Sequence, residues 1–186
     1  WPLRDISYAL DHAIWGFAPL GFHLTNLLLY AAVAVGLFTA ARRNLGGGGA
    51  FLGTLLFVLH PLHAESVAWI SGRKDLLCAA WLMLAWWVLA LPLGEGRLRR
   101  FLRFAIGLSA YVAACLSKSA ALPFPLVWWV QDRLFPRPGP GWGWLERLPF
   151  FLAMGFLAAG QAASSLASGV AGHYLFDAAG VTQALV

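Results

Sequence analysis

FLRFAIGLSAYVAACLSKSAALPFPLVWWVQDRLF, residues 101–135, decides how this chain is threaded. About 30 Å of hydrocarbon is crossed by roughly 17–25 helical residues. The stretch exceeds that, and Lys118, Pro123 and Pro125 interrupt it. It is either one long interrupted helix or two minimal spans that meet near 117–119. Charge separates the two. As a hairpin, it leaves Arg42, Arg43, Arg97, Arg99, Arg100, Arg103, Arg133, Arg137 and Arg147 on one side and only Arg4, Arg73, Lys74 and Lys118 on the other. As one span, it moves Arg133, Arg137 and Arg147 across and erases the asymmetry that cytoplasmic loops carry. The hairpin is therefore expected. Its two short helices would be broken or tilted, which a membrane tolerates where neighbouring helices or a polar cavity cover the freed backbone groups.

Composition agrees with a membrane setting. Of 186 residues, 60% are hydrophobic and 11% charged, whereas a soluble domain has about a quarter charged. Apolar runs of spanning length occur at 22–41, 46–62, 76–93 and 148–166. With 101–117 and 119–135 they make six expected transmembrane helices in an all-α polytopic bundle. Residues 167–186 are expected to begin an outer loop. Trp1 follows no initiator methionine or basic leader, and the chain is expected to be a fragment of a longer protein.

The first twenty residues have a different pattern. Leu3, Ile6, Leu10, Ala13 and Phe17 recur at helical spacing, with Arg4, Asp5, Asp11 and His12 on other faces. This is the pattern of an amphipathic helix lying along the outer interface. The GGGG at 46–49 lacks the Lys-Ser/Thr of a phosphate loop and is expected to be a turn into the second span. Cys78 and Cys115 have no CxxC or CxH spacing and are expected to pack as small apolar groups.

The threading places all five histidines (His12, His23, His60, His63, His173) on or near the non-cytoplasmic face, with Asp5, Asp11, Glu65, Asp75 and Asp177. The net charge of +5 comes from arginines that orient the helices, so it argues topology and no nucleic-acid partner. The densest polar segment is HPLHAESVAWISGRKD, residues 60–75. Ionisable groups at membrane depth are costly unless paired or wet, which makes them functional candidates. Interfacial histidines and a Glu65/Arg73 ion pair that merely fixes the hairpin are the plainer alternative. The spacings of His60, His63 and Glu65, with Pro61 between, match no standard helical metal-ligand pair, and no metal is expected.

HPLHAESVAWISGRKDLL, with PLGFHLTNLLLY at 19–30 and CLSKSAALPFPLVWWVQD at 115–132, resembles the membrane region of the TMTC family of transmembrane O-mannosyltransferases. Related bacterial membrane proteins often carry tetratricopeptide repeats downstream. The resemblance covers roughly residues 1–135 and implies the GT-C class, which takes a sugar from a polyprenyl or dolichyl phosphate on the lumenal or periplasmic side. It implies no cofactor, a lipid-linked sugar donor, and a protein or glycan acceptor. By the same resemblance, Glu65 and His63 are placed near the reacting centre with His60 orienting them. Arg73 and Lys118 are placed on the lipid phosphate, and His23, Asn26 and Asp75 in the cavity. The catalytic acid of that class lies in the first outer loop, whose remaining acids here are Asp5 and Asp11; Trp1 stands where the family commonly has Arg. A residue usage heavy in Ala, Gly, Arg and Leu leans towards a bacterial inner membrane. A membrane anchor for a repeat protein, or a lipid or solute transporter, are the alternative functions.

Overall fold

The computed structural model describes residues 2–91, 96–135 and 143–167. Among them the chain is helical throughout: α1 (Pro2–Trp15), α2 (Pro19–Leu59), α3 (Leu62–Ala68), α4 (Arg73–Ala90), α5 (Arg97–Ser117), α6 (Phe124–Leu134) and α7 (Trp144–Ala167). Short 3-10 turns precede α4 (Ile70–Gly72) and α6 (Ser119–Ala121). The outer loop expected at 167–186, with His173 and Asp177, and also Arg137, lie outside the described residues, except for the backbone of Ala167.

α2 is not one straight rod. A continuous helix would hold Tyr30 and Val58 about 40 Å apart, yet the Tyr30 hydroxyl donates to the Val58 carbonyl at 3.1 Å and the Tyr30 and Phe57 rings lie 6.1 Å apart. The chain folds back at Gly46, whose φ of 70° and ψ of 178° break the helical path. Residues with a Cβ rarely adopt that φ. The expected turn at 46–49 thus reduces to a single glycine, after which the helix resumes.

The deciding stretch also folds back. Tyr111 and Phe124 would lie about 20 Å apart on one helix, but their rings stack at 5.7 Å and the Tyr111 hydroxyl donates to the Leu122 carbonyl at 3.0 Å. α6 is 11 residues long, about 16 Å, or half the hydrocarbon thickness. Pro123 and Pro125, which lack an N–H, fit only at its first turn. The expected helix at 119–135 is therefore a 3-10 turn followed by a shorter helix.

Among the described residues three helices are long and apolar enough to cross a membrane by length and composition: Pro19–Leu59, Arg97–Ser117 and Trp144–Leu166. α4 has 18 residues but carries Arg73, Lys74 and Asp75 in its first turn. The apolar helices and their exposed Leu, Phe, Val and Ile side chains fit an integral membrane protein.

The core lies between α4, α5, α6 and α7. Tyr111, Trp128 and Phe150 are buried at its centre, with Phe150 5.2 Å from the Trp128 ring and 5.7 Å from Phe104. Small residues let α4 and α5 approach closely: Gly107, Ala110 and Ala114 share one face of α5, and a Cβ at Gly107 would lie 2.7 Å from Leu89 Cδ2. Cys78 and Cys115 are buried in this core as free thiols.

Candidate functional site

The two ends of the bundle carry different polar groups. At one end Arg43 donates to the Ala90 carbonyl, Arg100 pairs with Glu146 at 2.5 Å and Arg147 with Asp132 at 2.8 Å. These ties close the ends of α2, α4, α5, α6 and α7 against one another. The 18 residues of α4 carry the chain about 27 Å from there to Arg73. At this second end α1 crosses the helix termini, from Pro2 beside Leu116 and Gln161 to Asp11 beside Thr25 and Arg73.

Arg73 is the hub of that end. Its side chain has no exposed surface, and its guanidinium pairs with Asp11 Oδ2 at 2.5 Å. Nε donates to Asn26 Oδ1 at 2.8 Å, one terminal nitrogen to the Phe22 carbonyl at 2.9 Å, and the other to the Ser7 carbonyl at 3.4 Å. The ring of Tyr8 lies 4.8 Å from the guanidinium carbon, within cation–π range. Asp11 also accepts a hydrogen bond from Thr25 Oγ1 at 2.9 Å. Asn26, fully buried, turns its amide nitrogen to the Val67 and Trp69 carbonyls at 3.3 and 3.2 Å, and Tyr8 donates to the Ile70 carbonyl at 2.6 Å. Asn26 thus serves the Val67 carbonyl, while the Trp69 and Ile70 carbonyls, which already accept the Gly72 and Arg73 backbone N–H groups, gain a second donor.

The structure separates several residues that the sequence placed together. Arg73 pairs with Asp11 and not with Glu65, so the Glu65/Arg73 pair of the plainer alternative does not form. A phosphate could reach the Arg73 fork only by displacing Asp11. Asn26 belongs to the hub, whereas His23 is exposed. Asp11 faces the protein interior, at 5% exposure, while Ile6, Leu10 and Ile14 of the same helix point outward. Asp5 is exposed and pairs with Arg4 at 2.7 Å, and that hydrogen bond holds its carboxyl below the usual range.

His60, His63 and Glu65 form a second group on the same side. His63 is half-buried, 4.1 Å from the Phe57 ring and 6.1 Å from Tyr30, with the His60 ring 5.9 Å away. His60 Nδ1 accepts from the Leu62 N–H at 3.3 Å, ordering the first turn of α3. Glu65 sits two residues past His63, about 200° around the helix. Its side chain is exposed and has no hydrogen-bond or ion-pair partner among the described residues. Nor does any group of three or more His, Cys, Asp or Glu side chains among those residues stand ready to hold a metal. Lys118, at the break between α5 and α6, pairs with Asp75, and both are about one-third exposed.

The sequence reading missed Thr25, Tyr8 and Ser7 as parts of the Arg73 hub. Tyr8 and Asp11 lie three residues apart on α1, and Ser7 and Asp11 four, so helical spacing puts them on one face. Nothing local to that face says that an arginine from α4 covers it.

No protein-family model matches the chain, and no solved structure matches it. Curated proteins do. A human protein O-mannosyl-transferase, TMTC2, is 44% identical over 86 residues, 45% of this chain and 10% of that protein. Mouse protein O-mannosyl-transferase TMTC4 is 32% identical over 99 residues, 45% of this chain and 13% of that protein. Protein O-mannosyl-transferase Tmtc1 of Drosophila melanogaster is 36% identical over 86 residues, 46% of this chain and 10% of that protein. The chain therefore spans about a tenth of the length of the curated relatives it matches. These relatives are animal proteins and lend no support to a bacterial inner membrane. Over the matched portion the chain is TMTC-like, similar to the protein O-mannosyl-transferases of that name.

Proposed function

We propose that this chain is part of the membrane domain of a glycosyltransferase, which moves mannose or another hexose from a polyprenyl or dolichyl phosphate to a hydroxyl of a protein or glycan. The observation that carries the reading is the gathering of α1, residues 60–75 and Lys118 at the end of the bundle opposite the Arg100–Glu146 and Arg147–Asp132 pairs, in a chain similar to O-mannosyl-transferases. The two arms of α2, with α4, α5, α6 and α7, would make six passes of a GT-C-like bundle, and α1 would lie along the outer interface. Such a placement puts the arginine-rich end in the cytoplasm and the reaction on the lumenal side. Tetratricopeptide repeats would follow in the parent protein.

In the reaction the acceptor oxygen forms a bond to the anomeric carbon as the bond from that carbon to the phosphate oxygen breaks. The acceptor proton passes to a carboxylate, and the polyprenyl phosphate leaves with the electron pair. Glu65, whose side chain is exposed and unpartnered among the described residues, is the candidate base, and His63 and His60, near one another on a different face of the same segment, are the candidates to orient the sugar or acceptor. Lys118 is the candidate contact for the phosphate. Its pair with Asp75 is part-exposed and can be exchanged for a stronger anion. Arg73 cannot turn to a ligand without stranding the buried Asp11 carboxylate, so its role in this reading is positional. The transporter and anchor alternatives have no observation in their favour, since the polar groups gather at helix ends and not along a midplane path.

The test is transfer of radiolabelled mannose from polyprenyl-phosphate and dolichyl-phosphate donors by membranes carrying the full-length parent. Glu65→Gln and Lys118→Ala forms are compared at equal expression. Transfer by the parent that collapses in Glu65→Gln and weakens in Lys118→Ala supports the reading. A parent that transfers no sugar overturns the function, and variants that match an active parent overturn the site.

A further inference from the structure

A cleft of about 340 Å³ opens between the starts of α5 and α7, at the end of the bundle held by the Arg100–Glu146 and Arg147–Asp132 pairs. It is lined by Arg97, Arg100, Phe101 and Phe104 of α5 and by Leu145 and Glu146 of α7. The four α5 residues recur at three- and four-residue spacing and so share one face of that helix. Polarity changes along the face. Arg97 and Arg100 stand at the helix start, and Phe104, about 10 Å further on, meets Phe150 of the buried core at 5.7 Å. Phe101 and Leu145 are more than half exposed, so the cleft is open on its side to whatever surrounds the bundle, which in a membrane is lipid.

Charge selects what such a cleft takes. Among the described residues the acids at this end are Glu146 and Asp132, and both are already engaged: Glu146 accepts from Nε and Nη2 of Arg100 at 2.5 Å each, and Asp132 pairs with Arg147 at 2.8 Å. Arg97 and Arg99 are exposed and have no ion-pair partner among those residues. α5 carries no acid in its first turn. Its arginines therefore sit at the positive end of the helix dipole, where cations are unfavourable and an anion is stabilising. The Arg100–Glu146 pair fixes the wall, and Arg97, one turn earlier on the same face, is the cation at the mouth. A guanidinium fork suits phosphate oxygens, and basic pockets between membrane helices accept phospholipid headgroups.

We infer that this cleft seats an anionic glycerophospholipid, with the phosphate on Arg97 and the glycerol and first acyl methylenes against Phe101, Phe104 and Leu145. A soluble anion would use the arginine and leave the three apolar walls without a partner, which favours a lipid. The volume is at the low end of the range for small-molecule pockets, about 300–1,000 Å³, and suits that part of a lipid rather than a whole one. The site goes beyond the glycosyltransferase reading. It lies at the opposite end of the bundle from Glu65 and Lys118 and stands whether or not sugar is transferred.

The experiment is native mass spectrometry of the full-length parent, released from detergent micelles doped with equal amounts of phosphatidylglycerol and phosphatidylcholine of the same acyl chains. One phosphatidylglycerol should be retained in preference to phosphatidylcholine. Arg97→Ala should cut that retention about fivefold, the effect of one basic residue near an anionic surface, and Leu145→Trp, which fills the cleft, should lower it as well. Arg99→Ala removes an equal charge about 200° around the helix from Arg97, outside the cleft, and should leave retention unchanged. Glycerol 3-phosphate, which has the phosphate without the tails, should not displace the lipid. Arg97, Arg99 and Leu145 are all exposed, so the fold does not hinge on them. Equal losses in Arg97→Ala and Arg99→Ala, which would mean a diffuse positive field, would overturn the inference. So would equal retention of the two lipids, displacement by glycerol 3-phosphate, or full retention in both Arg97→Ala and Leu145→Trp.

Discussion

Arg73, the first residue of α4, and Glu65, in α3 just before it, are eight residues apart, yet the Arg73 side chain has no exposed surface and is held by Asp11, Asn26, Ser7 and Phe22, while the Glu65 side chain is exposed with no partner among the described residues. The difference separates holding from reacting. A charge taken out of solvent must be matched nearly completely, and once matched it has no valence left for a ligand. A carboxylate left at the surface of the same segment costs little to maintain and can accept a proton. His60 and His63 fall on the Glu65 side of this contrast and Asn26 on the Arg73 side, although the sequence shows all of them simply as polar residues near helix ends.

The sharpest way to break the comparison is Glu65→Gln. Loss of a general base typically lowers turnover by about 10²–10⁴-fold, and the variant should unfold at the same temperature as the parent. A large drop in stability instead would mean that Glu65 also holds the fold. Arg73→Ala is the counterpart. Removing one partner of a buried pair costs about 3–5 kcal/mol, so thermal aggregation in detergent should begin well below the parent's temperature, with activity falling because folded protein is lost. Arg73→Ala protein that stays as stable as the parent but cannot bind a polyprenyl phosphate would move Arg73 into the binding machinery. Asn26→Leu should have a smaller effect, about 1–3 kcal/mol for the polar groups it strands at Val67 and Arg73. Smallest is Lys118→Ala, whose pair with Asp75 is part-exposed and contributes no more than about 1 kcal/mol to stability. Any loss of donor affinity in that variant would therefore report binding rather than folding.

Much of the fold was legible before the structure. The break at Lys118 and the two prolines, the turn in the glycine run and the unequal share of arginines between the two ends are local or additive properties, visible in hydropathy, proline chemistry and loop charge. The candidate site was legible only as a set of residues. α1 is a case where pattern and contact diverge: its apolar face was found, but its other face meets Arg73 and Thr25 instead of water. The short α6 is another, since 119–135 has the apolar content of a span while its helix occupies only Phe124–Leu134.

The sequence by itself determined that this chain is a bundle of apolar helices with unlike polar ends, because the free energy of burying a segment in hydrocarbon is close to a sum over its residues. The tertiary structure alone decided which acid neutralises Arg73. Glu65 is eight residues away and Asp11 sixty-two, yet the partner is Asp11. An ion pair forms where packing brings two charges together out of water, and that depends on how α1 is laid across α2 and α4, which no count of residues along the chain contains.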